Sequence, residues 1–111
     1  MEISFRTTKL QKVFNSERLL RQEYGDHNAR LIMRRMVVLN AAPSLKDVSH
    51  QRPERRHELT GSRSGEFAVD LEHPYRLVFR PAMDPVPKLE DGGINLASVT
   101  AIEILSVEDY H

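Results

Sequence analysis

The sequence contains no cysteine, which excludes disulfides and thiolate metal sites. It has no long apolar run either. The longest, Met36-Val37-Val38-Leu39, is far short of a membrane span. Polar residues interrupt every apolar cluster near the start, so no signal-peptide core is expected there. Repeats and low-complexity tracts are lacking. A net charge of zero removes the global argument for a nucleic-acid partner and leaves only local clustering. His27, His50 and His73 show no metal-ligand spacing. The expectation is a cytoplasmic protein with no metal, no cofactor and no membrane partner.

What is present fits a globular chain. Its 111 residues are 40% hydrophobic and 29% charged, enough for one domain, residues 1–111, with one modest core. Charge is unevenly spread. Residues 1–80 hold 15 Lys/Arg against 10 Asp/Glu, whereas residues 81–111 hold 1 against 6. A basic body can meet phosphates. An acidic end can shield that surface or simply be solvated.

The hydrophobic period changes once along the chain. Residues 2–5 read as a short strand. Leu10, Val13 and Phe14 fall at i, i+3, i+4 on one helical face. Ser16 can cap a second short helix holding Leu19, Leu20 and Tyr24, which Gly25 ends. Asp26 suits the N-cap of a longer helix over 27–42, with Ala29, Met33, Val37 and Ala41 in one row. Ile32, Met36 and Leu39 flank that row, Arg30, Arg34 and Arg35 take the polar side, and Pro43 ends the helix. After a polar, Arg-rich loop at 49–56 the period becomes two. Residues 66–72 and 75–80 form a hairpin around His73-Pro74, and 98–108 form a last strand, apolar enough to be the central one. Residues 81–97, with three prolines and Gly92-Gly93, read as loop. Helices first and strands after give an α+β fold: N-terminal helices packed on a mostly antiparallel sheet.

The chemistry-bearing residues cluster at the end of that last strand and before the hairpin. Asp109-Tyr110-His111 put a carboxylate, a phenol and an imidazole at a strand tip. His57 supplies a second imidazole. Two imidazoles with nearby guanidiniums can cleave RNA without a metal: one takes the proton of a 2′-hydroxyl, an acid protonates the leaving oxygen, and cations stabilise the phosphorane. The α-carboxylate beside the His111 ring favours its cationic, acid form. Tyr110 can pack or stack on a base. Strict alternation sets it on the opposite face from Asp109 and His111. Asp109 can act as a base, pair with Arg76 or Arg80, or orient a histidine, the role favoured here. Arg63 stands at a turn tip between Gly61 and Gly65, two positions suited to positive φ. It is either a phosphate ligand or a solvated side chain. Arg76, in a strand beside Leu77 and Phe79, must be paired, by a substrate phosphate or a carboxylate.

Taken in order, these segments resemble a known family. His57-x-Leu59-x-Gly61-x-Arg63-x-Gly65-x-Phe67-Ala68-Val69, then Tyr75-Arg76-Leu77-Val78-Phe79-Arg80, then Asp109-Tyr110-His111 are similar to the HigB branch of the RelE/ParE toxin superfamily. Leu39-Asn40-Ala41-Ala42-Pro43-Ser44-Leu45 resembles the end of that family's long helix and the turn after it. The resemblance implies a RelE-like small α+β domain. It implies the toxin of a type II toxin–antitoxin system, a ribosome-dependent mRNA endonuclease that needs no metal. Its partners would be the ribosome with mRNA and a HigA-like helix-turn-helix antitoxin, with operator DNA reached only through that antitoxin. Carried over, His57, Asp109, Tyr110 and His111 would be catalytic, and Arg63 and Arg76 would bind phosphate. The family often has a lysine before the first glycine of the turn, where this chain has Thr60. Arg55, Arg56 or Arg63 would then supply the missing positive charge. The alternative is a ParE-like gyrase inhibitor, or a catalytically degenerate toxin that acts only by binding.

Overall fold

The computed structural model describes residues 1–109. Strand β1 (Glu2–Phe5) leads into three helices, α1 (Thr8–Phe14), α2 (Glu17–Tyr24) and α3 (Asp26–Ala41), followed by strands β2 (His57–Glu58), β3 (Phe67–Asp70), β4 (Tyr75–Pro81) and β5 (Ala101–Asp109). The strands make one sheet in the order β1-β5-β4-β3-β2. Among the described residues only the β1–β5 pair is parallel; β2–β3, β3–β4 and β4–β5 are antiparallel. The three helices pack on one face of this sheet. The α+β expectation holds, with β4 rather than β5 at the centre. No helix among the described residues is long and apolar enough to cross a membrane.

Local sequence sets the helix ends. Thr7 Oγ1 accepts from the Leu10 amide at 3.1 Å and Ser16 Oγ from the Leu19 amide at 3.2 Å, so each short helix starts on a side-chain cap. Gly25, at φ 83°, both ends α2 and serves as N-cap of α3. That corrects the assignment of the cap to Asp26, which occupies the first turn instead. The positive φ there is one that glycine adopts without strain.

The buried stripe of α3 is also rotated from the expected one. Asn28, Ala29, Ile32, Arg35 and Leu39 are buried, while Val37 is 68% exposed. An i+4 row drifts about 40° per step on a helix of 3.6 residues per turn, so a row begun on the core side at Ala29 has left it by Val37. Arg35, expected on the solvated side, instead faces the sheet and donates through Nε to the Asp70 carbonyl at 2.7 Å. Burial pulls its pKa down, while Glu54 and Asp70 act in the opposite sense. Asn28 Oδ1 accepts from the Glu72 amide at 3.0 Å. Two polar side chains of α3 therefore fasten the helix to the hairpin between β3 and β4.

The main core lies between helices and sheet. Phe67, Val69, Leu77, Phe79, Ile102 and Ile104 meet Leu20, Ala29, Ile32 and Leu39. Phe67 and Phe79 stack with centroids 6.1 Å apart. Strand β5 changes phase partway. Phe79 pairs with Ile104, but Val78 pairs with Ser106, leaving Leu105 as the extra residue of a β-bulge. Leu105 is buried on the other face with Leu59, Ala68 and Val78. Beyond the bulge Val107, opposite Leu77, returns to the main core. Ser106 and Glu108 therefore share the face of Val78 and Arg76. Residues 81–97 are not wholly irregular: Lys88 and Ile94 form an antiparallel bridge.

Candidate functional site

The sheet face away from the helices carries the ionisable groups. One cross-strand row runs His57, Ala68, Val78, Ser106, and the next runs Asp70, Arg76, Glu108. Standard strand spacings put the His57 and Arg76 Cα atoms about 12 Å apart on this face. His57 and Arg76 are thus brought to one surface.

His57 is half-buried at the start of β2. Its Nδ1 lies 2.7 Å from the Arg55 carbonyl oxygen. A carbonyl can only accept, so in the neutral ring the proton sits on Nδ1 and the lone pair on Nε2. That is the tautomer a general base needs. Arg55 adopts φ 47°, a left-handed conformation that costs energy in any residue but glycine. Its side chain makes a bidentate pair with Asp70, at 2.6 and 2.9 Å. One residue thus sets the histidine through its backbone and braces β3 through its guanidinium.

Glu108 is the hub of the second row. It accepts from Arg63 Nη1 at 2.6 Å and Nη2 at 2.8 Å, and from the Ser106 hydroxyl. Arg76 Nη2 lies 3.9 Å away. Arg63 also donates to Glu66 Oε1 at 2.8 and 3.0 Å. Hydrogen bonding from Arg63 holds the Glu108 carboxyl down at about 2, with Ser106 and Arg76 acting the same way and burial opposing. The Arg63 guanidinium is pushed up by the same pair of carboxylates.

The glycines flanking Arg63 behave as their motif suggested, Gly61 at φ 65° and Gly65 at φ 95°. Glu58 Oε2 closes this turn by accepting from the Gly65 amide at 3.0 Å. Arg63 itself departs from the expectation of an exposed tip: it is half-buried and folded back over the sheet. Arg56 donates to the Val48 carbonyl at 2.8 Å, and burial lowers its pKa. Arg55, Arg56 and Arg63 therefore all have protein partners in this structure. Arg80 pairs with Glu103 at 2.8 Å, and the carboxylate beside Arg76 is Glu108. Asp109 pairs across the strands with Tyr75, so the bulge gives it the opposite parity from Arg76 and Glu108. Tyr110 and His111 lie outside the described residues. Glu66, Asp70, Glu103, Ser106 and Glu108 belong to this face and were not singled out by the sequence. The two-residue spacing of Ser106 and Glu108 was the available signal, hidden by the bulge before it.

No protein-family model matches the chain, and no curated protein matches it. Among solved structures it is similar to a YoeB/ParE toxin from Agrobacterium tumefaciens, with 12% identity, all of both chains covered, and a TM-score of 0.58. At that identity the likeness establishes the fold. The chain has the small α+β architecture of a YoeB/ParE toxin, its helices on one sheet face and its polar residues on the other.

Proposed function

We propose that this chain, as one domain, is the toxin of a type II toxin–antitoxin pair and an endoribonuclease of HigB type that cleaves mRNA on the ribosome. The observation that carries the reading is the hydrogen bond from His57 Nδ1 to the Arg55 carbonyl. It leaves Nε2 as proton acceptor on the same sheet face as Arg76. In the proposed reaction Nε2 takes the proton of a ribose 2′-hydroxyl. The 2′-oxygen bonds to the adjacent phosphorus and the bond from phosphorus to the 5′-oxygen breaks. His111, as imidazolium, protonates that leaving oxygen. Arg76 stabilises the phosphorane charge, Tyr110 stacks on a base, and Asp109 orients a histidine. Arg63 reaches the substrate only after exchanging Glu66 and Glu108 for phosphate. The resemblance of the His57–Val69 and terminal segments to HigB toxins supports this reading, as does the YoeB/ParE fold. Its partners are the ribosome with mRNA and a HigA-like helix-turn-helix antitoxin, through which alone it meets operator DNA. The setting is the cytoplasm.

A second reading rests on Thr60 and on the carboxylates that occupy Arg63. A face with so much of its positive charge internally paired also suits a toxin that binds and does not cleave, as a ParE-like gyrase inhibitor would. Primer extension on mRNA after induction separates the two. Discrete cleavage sites that disappear with His57→Ala support the nuclease. Growth arrest with intact mRNA and altered plasmid supercoiling would favour the binder.

A further inference from the structure

A cleft of about 490 Å³ opens at the hairpin end of the sheet, lined by Arg52, Arg55, Asp70, His73 and Tyr75 together with the apolar Pro53 and Leu71. We infer that it is a nucleotide subsite, in which a nucleobase stacks on the Tyr75 ring and the attached phosphate meets Arg52. Its volume lies within the usual span of small-ligand sites. Its chemistry is mixed in the way a nucleotide is mixed: an aromatic ring, two apolar side chains, and guanidiniums with one carboxylate.

Tyr75 has the geometry of a platform. It is 42% exposed, while Leu77 and Phe79 of the same strand face are buried. Its backbone is fixed on both sides: its amide donates to the Glu72 carbonyl at 2.7 Å, and its carbonyl accepts from the Leu71 amide at 3.1 Å. A ring anchored by its main chain and open to solvent stacks at low entropic cost. Asp70 is equally fixed. Asp70 holds Arg55 through two bonds, receives Arg35 on its carbonyl, and donates its amide to Glu54 at 2.8 Å. Its charge is thereby compensated by Arg55, so the exposed Arg52 is left to set the sign of the ligand.

The cleft adjoins the proposed base. Arg55 walls the cleft with its side chain and holds His57 with its carbonyl. A nucleotide seated on Tyr75 is therefore a neighbour of the one that reacts in a single RNA strand. The extension to polymer rests on the nuclease reading; the capture of a nucleotide does not.

Binding of a short fluorescent single-stranded RNA to the full chain carrying His57→Ala tests this, because that background leaves the probe uncut. Added Tyr75→Ala should weaken binding about tenfold, the usual effect of losing one stacked base. Tyr75→Phe should restore it. Arg52→Ala should weaken binding and flatten its salt dependence by about one phosphate contact. A free mononucleotide should compete through the same residues, and inorganic phosphate far less. Parental affinity in Tyr75→Ala would overturn the subsite, as would a loss in Tyr75→Phe equal to that in Tyr75→Ala. So would inorganic phosphate competing as well as the mononucleotide, or a Tyr75→Ala effect confined to antitoxin binding. The two readings fail separately. Tyr75-dependent binding without any cleavage by the wild-type chain removes the nuclease and keeps the subsite. Cleavage with Tyr75-independent binding does the reverse.

Discussion

The two faces of the sheet are built from alternate residues of the same strands, yet they differ in nearly every physical respect. The helix side holds Phe67, Val69, Leu77, Phe79, Ile102 and Ile104 in a continuous apolar core. The far side has only a small cluster, Leu59, Ala68, Val78 and Leu105, and surrounds it with His57, Asp70, Arg76, Glu103 and Glu108. Away from the exposed strand ends at Tyr75 and Asp109, a residue's parity thus assigns it to stability or to chemistry. The difference shows why charged groups can be arranged so densely here. The fold is secured by the other face, so the polar face need only satisfy its own hydrogen bonds.

The comparison breaks most visibly where a substitution costs activity without stability. His57→Ala should lower mRNA cleavage by about 10²–10⁴-fold, the usual loss of a general base, with an unchanged melting temperature. His111→Ala should do the same. Cleavage assays on programmed ribosomes beside thermal melts check both. A collapsed melt in either variant would move that residue from the chemical set to the structural one.

The complementary change is Phe79→Ala. Removing a fully buried ring that stacks on Phe67 should destabilise the fold by about 3–5 kcal/mol, measured by urea unfolding. Any loss of activity should follow the unfolded fraction.

A smaller effect is expected at Glu108, where the polar face contributes to stability itself. Its carboxyl is held near 2, below the ordinary carboxylate range. The stabilisation it provides is therefore fully present above the ordinary value and is lost as pH falls through the folded one. Glu108→Gln should cost about 1–2 kcal/mol near neutrality, and its melting curve should converge with that of the parent between pH 4.5 and 2. A gap that persists undiminished to pH 2 would show that the pairing with Arg63 is not its source. Smallest of all, Val37→Ser should change stability by less than about 0.5 kcal/mol, because Val37 lies outside the buried stripe. A larger loss would mean that α3 is rotated from the position described.

Much of the fold was legible because it depends on period. The switch from 3.6 to 2 located the helices, the hairpin and the last strand. Ser16 and Gly25 declared their ends through side-chain and backbone chemistry that acts over a few residues. Arg35 was illegible for the opposite reason. Its partner, the Asp70 carbonyl, is distant in sequence, and no local rule distinguishes a guanidinium that finds a buried acceptor from one that finds water. The site divides the same way. His57 and Arg76 were readable as chemical types in strand context. The folding of Arg63 onto Glu66 and Glu108, and the tautomer set by Arg55, required the turn geometry of 49–65. Simple alternation from Ile104 would set Asp109 on the polar face, and the bulge at Leu105 gives it the other one.

The bulge makes the surface assignment of the strand's end a matter of counting. Every residue from Ser106 to Asp109 owes its face to one extra residue upstream, not to its own identity. Keeping Leu105 but pairing it regularly with Val78 would hand Glu108 to the core side and Asp109 to the polar side without changing either side chain. Closing the bulge at constant length is thus a phase inversion, able to exchange two carboxylates between solvent environments in one step, whereas deleting Leu105 leaves both where they are. Point substitutions in this segment modify one face at a time. Regular pairing through the bulge modifies both at once, so relatives of this fold are best compared by the position of the bulge before their terminal residues are matched.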